Sequence, residues 1–113
     1  MSRGELWLVS FDPSLGDEIR KTRPAVIISD DRLGILELRV VVPITAWQSA
    51  FEGSSWMIQI EPDHANGLSK TSAADAFQVK SVSTQRLIKR LGVVHPETLD
   101  HLVKAIRLII GHR

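Results

Sequence analysis

Gly16-Asp17-Glu18-Ile19-Arg20-Lys21-Thr22-Arg23-Pro24 runs without a break into Ala25-Val26-Ile27-Ile28-Ser29. The first part is charged and poor in apolar residues, whereas the second is a short apolar run of the kind that forms a buried strand. Proline fixes its own φ, gives no N–H to a sheet and pushes the preceding residue towards extended geometry. Pro24 is therefore expected as the first residue of a strand, with Arg23 at its mouth. A planar cation held beside a buried strand, with Glu18, Arg20 and Lys21 on the adjoining loop, is what a phosphate or carboxylate site needs. A merely solvated charged loop would carry the same residues, so this run alone does not decide between the two.

The remaining composition narrows the choice. With 113 residues, 43% hydrophobic and 24% charged, the chain suits one globular domain spanning 1–113. No apolar run approaches the roughly 18 residues of a membrane-spanning helix. Met1-Ser2-Arg3-Gly4-Glu5 lacks the apolar core of an export signal, so a cytoplasmic location and no membrane partner are expected. The absence of cysteine removes disulfide frameworks, thiolate metal sites and cysteine nucleophiles. Net charge is only +1, but residues 1–67 hold six Lys/Arg against ten Asp/Glu and residues 68–113 hold eight against three, giving −4 and then +5. The stretch from Lys80 to Arg90, with Arg86 and Lys89 between, has no acid and suits contact with a polyanion.

In chain order, Glu5–Phe11 reads as a strand closed by Asp12-Pro13, and the loop runs on to Pro24. Ala25–Ser29 reads as the second strand, residues 30–37 as a polar connection and Leu38–Ala46 as a third strand. Pro43 is expected at an edge, a bulge or that strand's end, with Thr45 just beyond it. Ser55–Pro62 reads as the fourth strand. Ala73–Val82 reads as a fifth, in which Asp75, Phe77 and Val79 share one side and Gln78 and Lys80 the other. Ser83 can start a helical turn before a strand over 88–93. His95-Pro96-Glu97 opens a helix over 96–110 whose Leu99, Leu102, Val103, Ile106, Ile109 and Ile110 recur at helical spacing. Short strands followed by one amphipathic helix predict a mainly β fold, a small half-closed β-barrel with the helix packed on it.

Among chemical constellations, His64, His95, His101 and His112 show no paired ligand spacing, so no metal and no cofactor are expected. There is no glycine-rich phosphate loop and no nucleophile-elbow serine. What spacing leaves is an anion site: Arg23 at one strand start, Thr45 at another strand's end and the basic stretch from Lys80.

Arg3-Gly4-Glu5-Leu6-Trp7-Leu8-Val9, Asp12-Pro13, Gly16, Glu18, Thr22-Arg23-Pro24-Ala25-Val26-Ile27-Ile28-Ser29, Val42-Pro43-Ile44-Thr45, Gly67-Leu68-Ser69-Lys70 and Gln78-Val79-Lys80-Ser81-Val82 together resemble the MazF/PemK toxins of bacterial toxin–antitoxin systems. The resemblance covers nearly the whole chain in order. It implies an SH3-like barrel of the CcdB/PemK type and a homodimer; two 16–22 loops are then expected to flank a shared groove and, as loops with few buried contacts over a site that threads a flexible strand, to be mobile without RNA. It also implies a metal-independent endoribonuclease that cuts single-stranded RNA such as mRNA and is held inactive by a cognate antitoxin protein. In the family, the ribose 2′-OH attacks the adjacent phosphate, leaving a 2′,3′-cyclic phosphate and a 5′-OH. The catalytic arginine and threonine fall on Arg23 and Thr45. Glu18 matches an acidic loop position near the site, and Arg20, Lys21, Gln78 and Lys80 are the residues expected to bind RNA.

The chain departs from PemK at three positions. Phe77 stands where PemK-like members carry an aspartate before the glutamine, Asp75 stands at the arginine position two residues earlier, and Asp17 replaces a histidine. The roles therefore rest on the Arg23 and Thr45 pair, with Asp75 as a nearby supporting carboxylate and Phe77 as either a core residue or a base-stacking platform. Two other classes fit the same fold: a CcdB-like gyrase poison, which needs no Arg23 chemistry, and a non-catalytic RNA- or protein-binding module.

Overall fold

The computed structural model describes residues 1–112. Its elements follow in the order β1 (Glu5–Ser10), β2 (Thr22–Ile27), β3 (Leu38–Ala46), β4 (Met57–Ile60), β5 (Ser72–Asp75), β6 (Lys80–Ser83), β7 (Leu87–Val93) and α1 (Pro96–Ile109). The strands form one antiparallel sheet in the order β4-β5-β3-β2-β1-β7, with β6 also on β3. The fold is thus mainly β with one C-terminal helix, as expected. The path from β4 to β7 does not close, so "barrel" describes its curl rather than a complete ring of hydrogen bonds.

Period-2 alternation gives the sheet two buried faces. Leu6, Val26, Val42, Ile44, Ile60 and Ala74 point to one, where Leu102 of α1 completes the cluster and Leu99 and Ile106 pack against it. Val9, Phe11, Ala25, Ile27, Val41, Val82 and Leu87 form the other, with Trp7 and Ile19 against it. We call these the helix face and the loop face. The helix starts as its sequence dictates: Pro96 is at the first turn, the His95 ring nitrogen accepts from the Glu97 N–H at 3.1 Å, and Gly111 beyond the end takes φ +75°. Of the apolar stripe, Val103 and Ile110 remain exposed. No described helix is long and apolar enough to cross a membrane.

Strands β2 and β4 and the segment 73–82 depart from the sequence reading, whereas β3 has the expected bounds. Strand β2 begins at Thr22, so Pro24 is its third residue, in register with Leu8 of β1, and the β2–β3 register stops at Ala25↔Pro43. Pro43 lies inside β3, where the strand changes partners from β6 (Val41↔Lys80) to β5 (Ile44↔Ala74). Strand β4 is confined to Met57–Ile60. The expected strand 73–82 is broken: across the partner change β3 advances three residues while its partner chain advances six. The surplus is a 3₁₀ turn, Ala76–Gln78, capped by Asp75. Phe77 rides on this turn and is 64% exposed, which excludes the core reading. Connection 30–37 contains a 3₁₀ turn at Asp31–Leu33 and leaves Leu33, Ile35 and Leu36 exposed, so it is less polar than expected.

Candidate active site

The site is built at the end of the β2–β3 pair. Continuing that antiparallel register two residues past Ala25↔Pro43 sets Arg23 opposite Thr45. Both then lie on the loop face, because Arg23 alternates with buried Ala25 and Thr45 with buried Pro43 and Val41. The Arg23 side chain is directed there by its Nε, which donates to the Arg20 carbonyl at 3.2 Å. Among the described residues its terminal guanidinium nitrogens and the Thr45 hydroxyl take no protein partner. A half-buried guanidinium and a hydroxyl with spare donors, on one face at the strand ends, can bind a tetrahedral anion.

The same strand ends rim a cavity of about 180 Å³ whose wall includes Thr22, Arg23, Pro24, Ile44, Thr45, Ala46, Ser72 and, from a loop, Leu68, Ser69 and Lys70. Alternation turns Pro24, Ile44 and Ala46 towards it from the helix face, so the cavity adjoins the Arg23–Thr45 face rather than enclosing it. Sequence reasoning placed Gly67–Lys70 in the family resemblance but assigned Ser69 and Lys70 no role. Their placement depends on Asn66, which is 1% exposed; its amide donates to the Glu61 carbonyl at 2.8 Å and accepts from the Leu68 N–H at 3.0 Å. Gly67 has φ +71°, and a Cβ there would stand 2.3 Å from the Leu91 carbonyl oxygen, so only glycine lets this loop lie against β7.

Over the loop face runs the segment between β1 and β2. Over 16–22 only Ile19 is not exposed, as expected of a loop with few buried contacts, yet hydrogen bonds tie the segment along its length. Ile19 packs on the loop-face core. Gln78 accepts from the Ile19 N–H at 2.8 Å and donates to the Asp17 carbonyl at 2.7 Å. Lys21, in the left-handed region at φ 67°, donates its N–H to Asp12 at 2.9 Å and accepts from the Phe11 N–H at 2.8 Å. Arg20 donates to the Gly16 carbonyl at 2.7 Å, and Glu18 accepts from the Leu15 N–H at 2.9 Å. The charged heads of Lys21 and Arg20 remain exposed above the Arg23–Thr45 face.

Asp75 is 9% exposed and pairs with Met57; the register of Ile44↔Ala74 carries it to the level of Pro43, on Thr45's face. Burial raises its carboxyl pKa, opposed by hydrogen bonds from the N–H groups of Phe77 and Gln78. Phe77 and Trp56 meet edge to face at 6.3 Å between ring centres. Lys80 opens β6 opposite Val41 and is half-buried. Two members of the basic stretch are bound by the protein: Arg86 donates to the Ser10 and Asp12 carbonyls, and the exposed Arg90 to Glu5 at 3.1 Å. The described His, Asp and Glu side chains form no group of three that could hold a metal ion.

Comparison with known proteins matches residues 2–110 to the family described as PemK-like, MazF-like toxin of type II toxin–antitoxin system. The chain is 32% identical over 114 residues to Endoribonuclease MazF9 of Mycobacterium tuberculosis, covering 96% of this chain and 94% of that protein. It is 33% identical over 101 residues to Endoribonuclease PemK of Escherichia coli, covering 88% and 73%. In three dimensions it resembles MazF from Deinococcus radiodurans with a TM-score of 0.81 at 21% identity over 98% of this chain and 96% of that one. It also resembles a mycobacterial endoribonuclease solved with its cognate antitoxin, with a TM-score of 0.78 at 17% identity over 100% and 97%. The fold and the match along residues 2–110 agree, and the chain belongs to the PemK-like, MazF-like family of type II toxin–antitoxin toxins.

Proposed function

We propose that the protein is the toxin of such a pair and cuts single-stranded RNA, mRNA included, in the cytoplasm without a metal ion. The observation that carries this reading is Arg23 and Thr45 at the ends of β2 and β3, both on the wall of one cavity and both with donors to spare. The ribose 2′-oxygen attacks the adjacent phosphorus and gives up its proton. The bond from phosphorus to the 5′-oxygen breaks, and that oxygen takes a proton to leave as 5′-OH. Negative charge grows on the non-bridging phosphoryl oxygens, where fixed donors from Arg23 and Thr45 stabilise it without reorganising. A guanidinium is a poor proton donor, so Arg23 serves as an electrostatic donor rather than a proton source. Asp75 and Glu18 are supporting carboxylates beside and above the pair. Arg20, Lys21 and Lys80 hold the RNA backbone.

The working unit in this reading is a two-fold homodimer, the default symmetry for such a domain. A cognate antitoxin, acidic and disordered until bound, covers the basic surface supplied by residues 68–113. Incubating purified protein with mixed-sequence RNA in chelator tests the proposal: fragments ending in 2′,3′-cyclic phosphate and 5′-OH are expected. Products with 5′-phosphate that form only with Mg²⁺ would overturn the mechanism. Uncut RNA with intact binding would favour the non-catalytic module, and uncut, unbound RNA with stalled gyrase the CcdB-like poison.

A further inference from the structure

Sequence reasoning gave Gln78 to RNA, yet its carboxamide is engaged at both ends by the protein. Its oxygen accepts from the Ile19 N–H at 2.8 Å and its nitrogen donates to the Asp17 carbonyl at 2.7 Å, so the amide straddles Glu18. This is how the N–H and C=O of one residue in a parallel ladder bond to the residues on either side of its partner. The side chain therefore acts as one added rung of sheet for a segment that has no strand beside it. Gln78 stands at the end of the 3₁₀ turn Ala76–Gln78, and that turn is fixed by Asp75 accepting from the Phe77 N–H at 3.1 Å. The rung thus hangs from the rigid place where β3 changes partners.

What the rung holds matters for Arg23. From Ile19 the chain passes to Arg20, whose carbonyl accepts from Arg23 Nε at 3.2 Å. We infer that Gln78 is a positioning residue for catalysis: it fixes the Asp17–Ile19 segment, and through the Arg20 carbonyl it sets the plane in which Arg23 presents its remaining donors. This inference rests on the RNA-cleaving reading above and reassigns one residue within it. A guanidinium that swings by about 1 Å can lose on the order of 10²-fold in rate, since its donors must meet charge that exists only in the transition state.

The test compares wild type with Gln78→Met, which keeps length and apolar stem but neither hydrogen bond, and Gln78→Glu, which keeps the acceptor and sets an oxygen against the Asp17 carbonyl. Amide exchange at Ile19, read by NMR on the protein without RNA, should be faster in both variants, while exchange in β3 is unchanged. On an RNA that wild type cleaves, kcat should fall between about tenfold and about 10²-fold with KM changed less than about threefold. Arg23→Ala should remove most of the further effect of Gln78→Met, because the two act through one group. A KM that rises with kcat unchanged would mean that Gln78 touches RNA directly, and would overturn the inference. So would unchanged Ile19 exchange. Failure of wild type to cut RNA would instead remove the functional reading, and the exchange result would then stand as a statement about the loop alone.

Discussion

The two faces of the sheet are covered by different means. On the helix face, Leu102 and Ala105 of α1 are buried, and Leu99 and Ile106 pack beside them, so the cover is continuous apolar surface. On the loop face, the segment between β1 and β2 contributes Ile19 alone to the core and is otherwise held by hydrogen bonds from Gln78, Asp12 and its own backbone. Apolar burial scales with area and cannot be given up without unfolding, whereas a cover held by one isoleucine and a few polar groups can open at a fraction of the global stability. The chemistry proposed for Arg23 and Thr45 lies under the second cover. A strand of RNA needs access, and only that side of the sheet offers it without loss of the fold.

The largest effect should come from breaking the helix cover. Leu102→Ala removes a fully buried side chain and should cost about 2–5 kcal/mol in denaturant unfolding. Next comes chemistry without stability: Arg23→Ala, and to a lesser degree Thr45→Ala, should lower the cleavage rate by about 10²–10³ while the unfolding midpoint stays within error. Arg23→Lys should restore only part of it, since an ammonium lacks the planar fork. A third variant sets the faces side by side. Ile19→Ala should cost about 1 kcal/mol in stability, because the residue is only partly buried, yet lower cleavage more than that loss explains. Equal global destabilisation by Ile19→Ala and Leu102→Ala would show that the loop is as integral as the helix.

The smallest effects are in pH. Burial pushes the Glu5 carboxyl up, but hydrogen bonds from the Trp7 indole, the Ser2 N–H and Arg90 outweigh it and hold the pKa at about 2. A carboxyl depressed in the folded state gives stability that is present above its unfolded pKa. That stability is lost as pH falls from about 4.5 towards about 2, and solvent screening keeps it on the order of 1 kcal/mol. Asp75 has the opposite sign: burial raises its pKa, so its folded form favours the proton and ionisation costs stability as pH rises through the folded value. Glu5→Gln should flatten the acid limb of a stability–pH curve. Asp75→Asn, whose amide oxygen can still accept from the Phe77 N–H, should be neutral or stabilising at pH 7, and any fall in activity then measures the carboxylate itself.

Strand β3 and the helix were legible because their signals are local and repeated: five β-branched residues in nine at Leu38–Ala46, and proline, glutamate and an apolar stripe from Pro96. The break at Ala76–Gln78 was not. Phe77 and Val79 alternate as a strand should, and what overrides them is the partner change at Pro43, a fact about β3 rather than about the segment that bends. The strand-end placing of Arg23 could be read from Pro24, but its alignment with Thr45 required the register. Ser69 and Lys70 carried only a family signature, and the buried Asn66 that seats their loop looks like any turn residue. Gln78 reads from the sequence as an RNA-binding residue, while its bonds to the loop span 59 and 61 residues and leave no local trace.

The unclosed sheet leaves β4, β6 and β7 each paired on one side only. Free edges invite another chain to add a strand, the first step of aggregation. Two of these strands are only four residues long, Met57–Ile60 and Lys80–Ser83, and the first is soon followed by Pro62. The longest, β7, carries exposed Lys89 and Arg90, and its pairing with β1 is irregular at two points. Shortness, charge and irregular pairing are the devices by which natural sheets refuse an extra strand. The open edges are thus guarded against accretion by the same basic residues that give this half of the chain its positive charge.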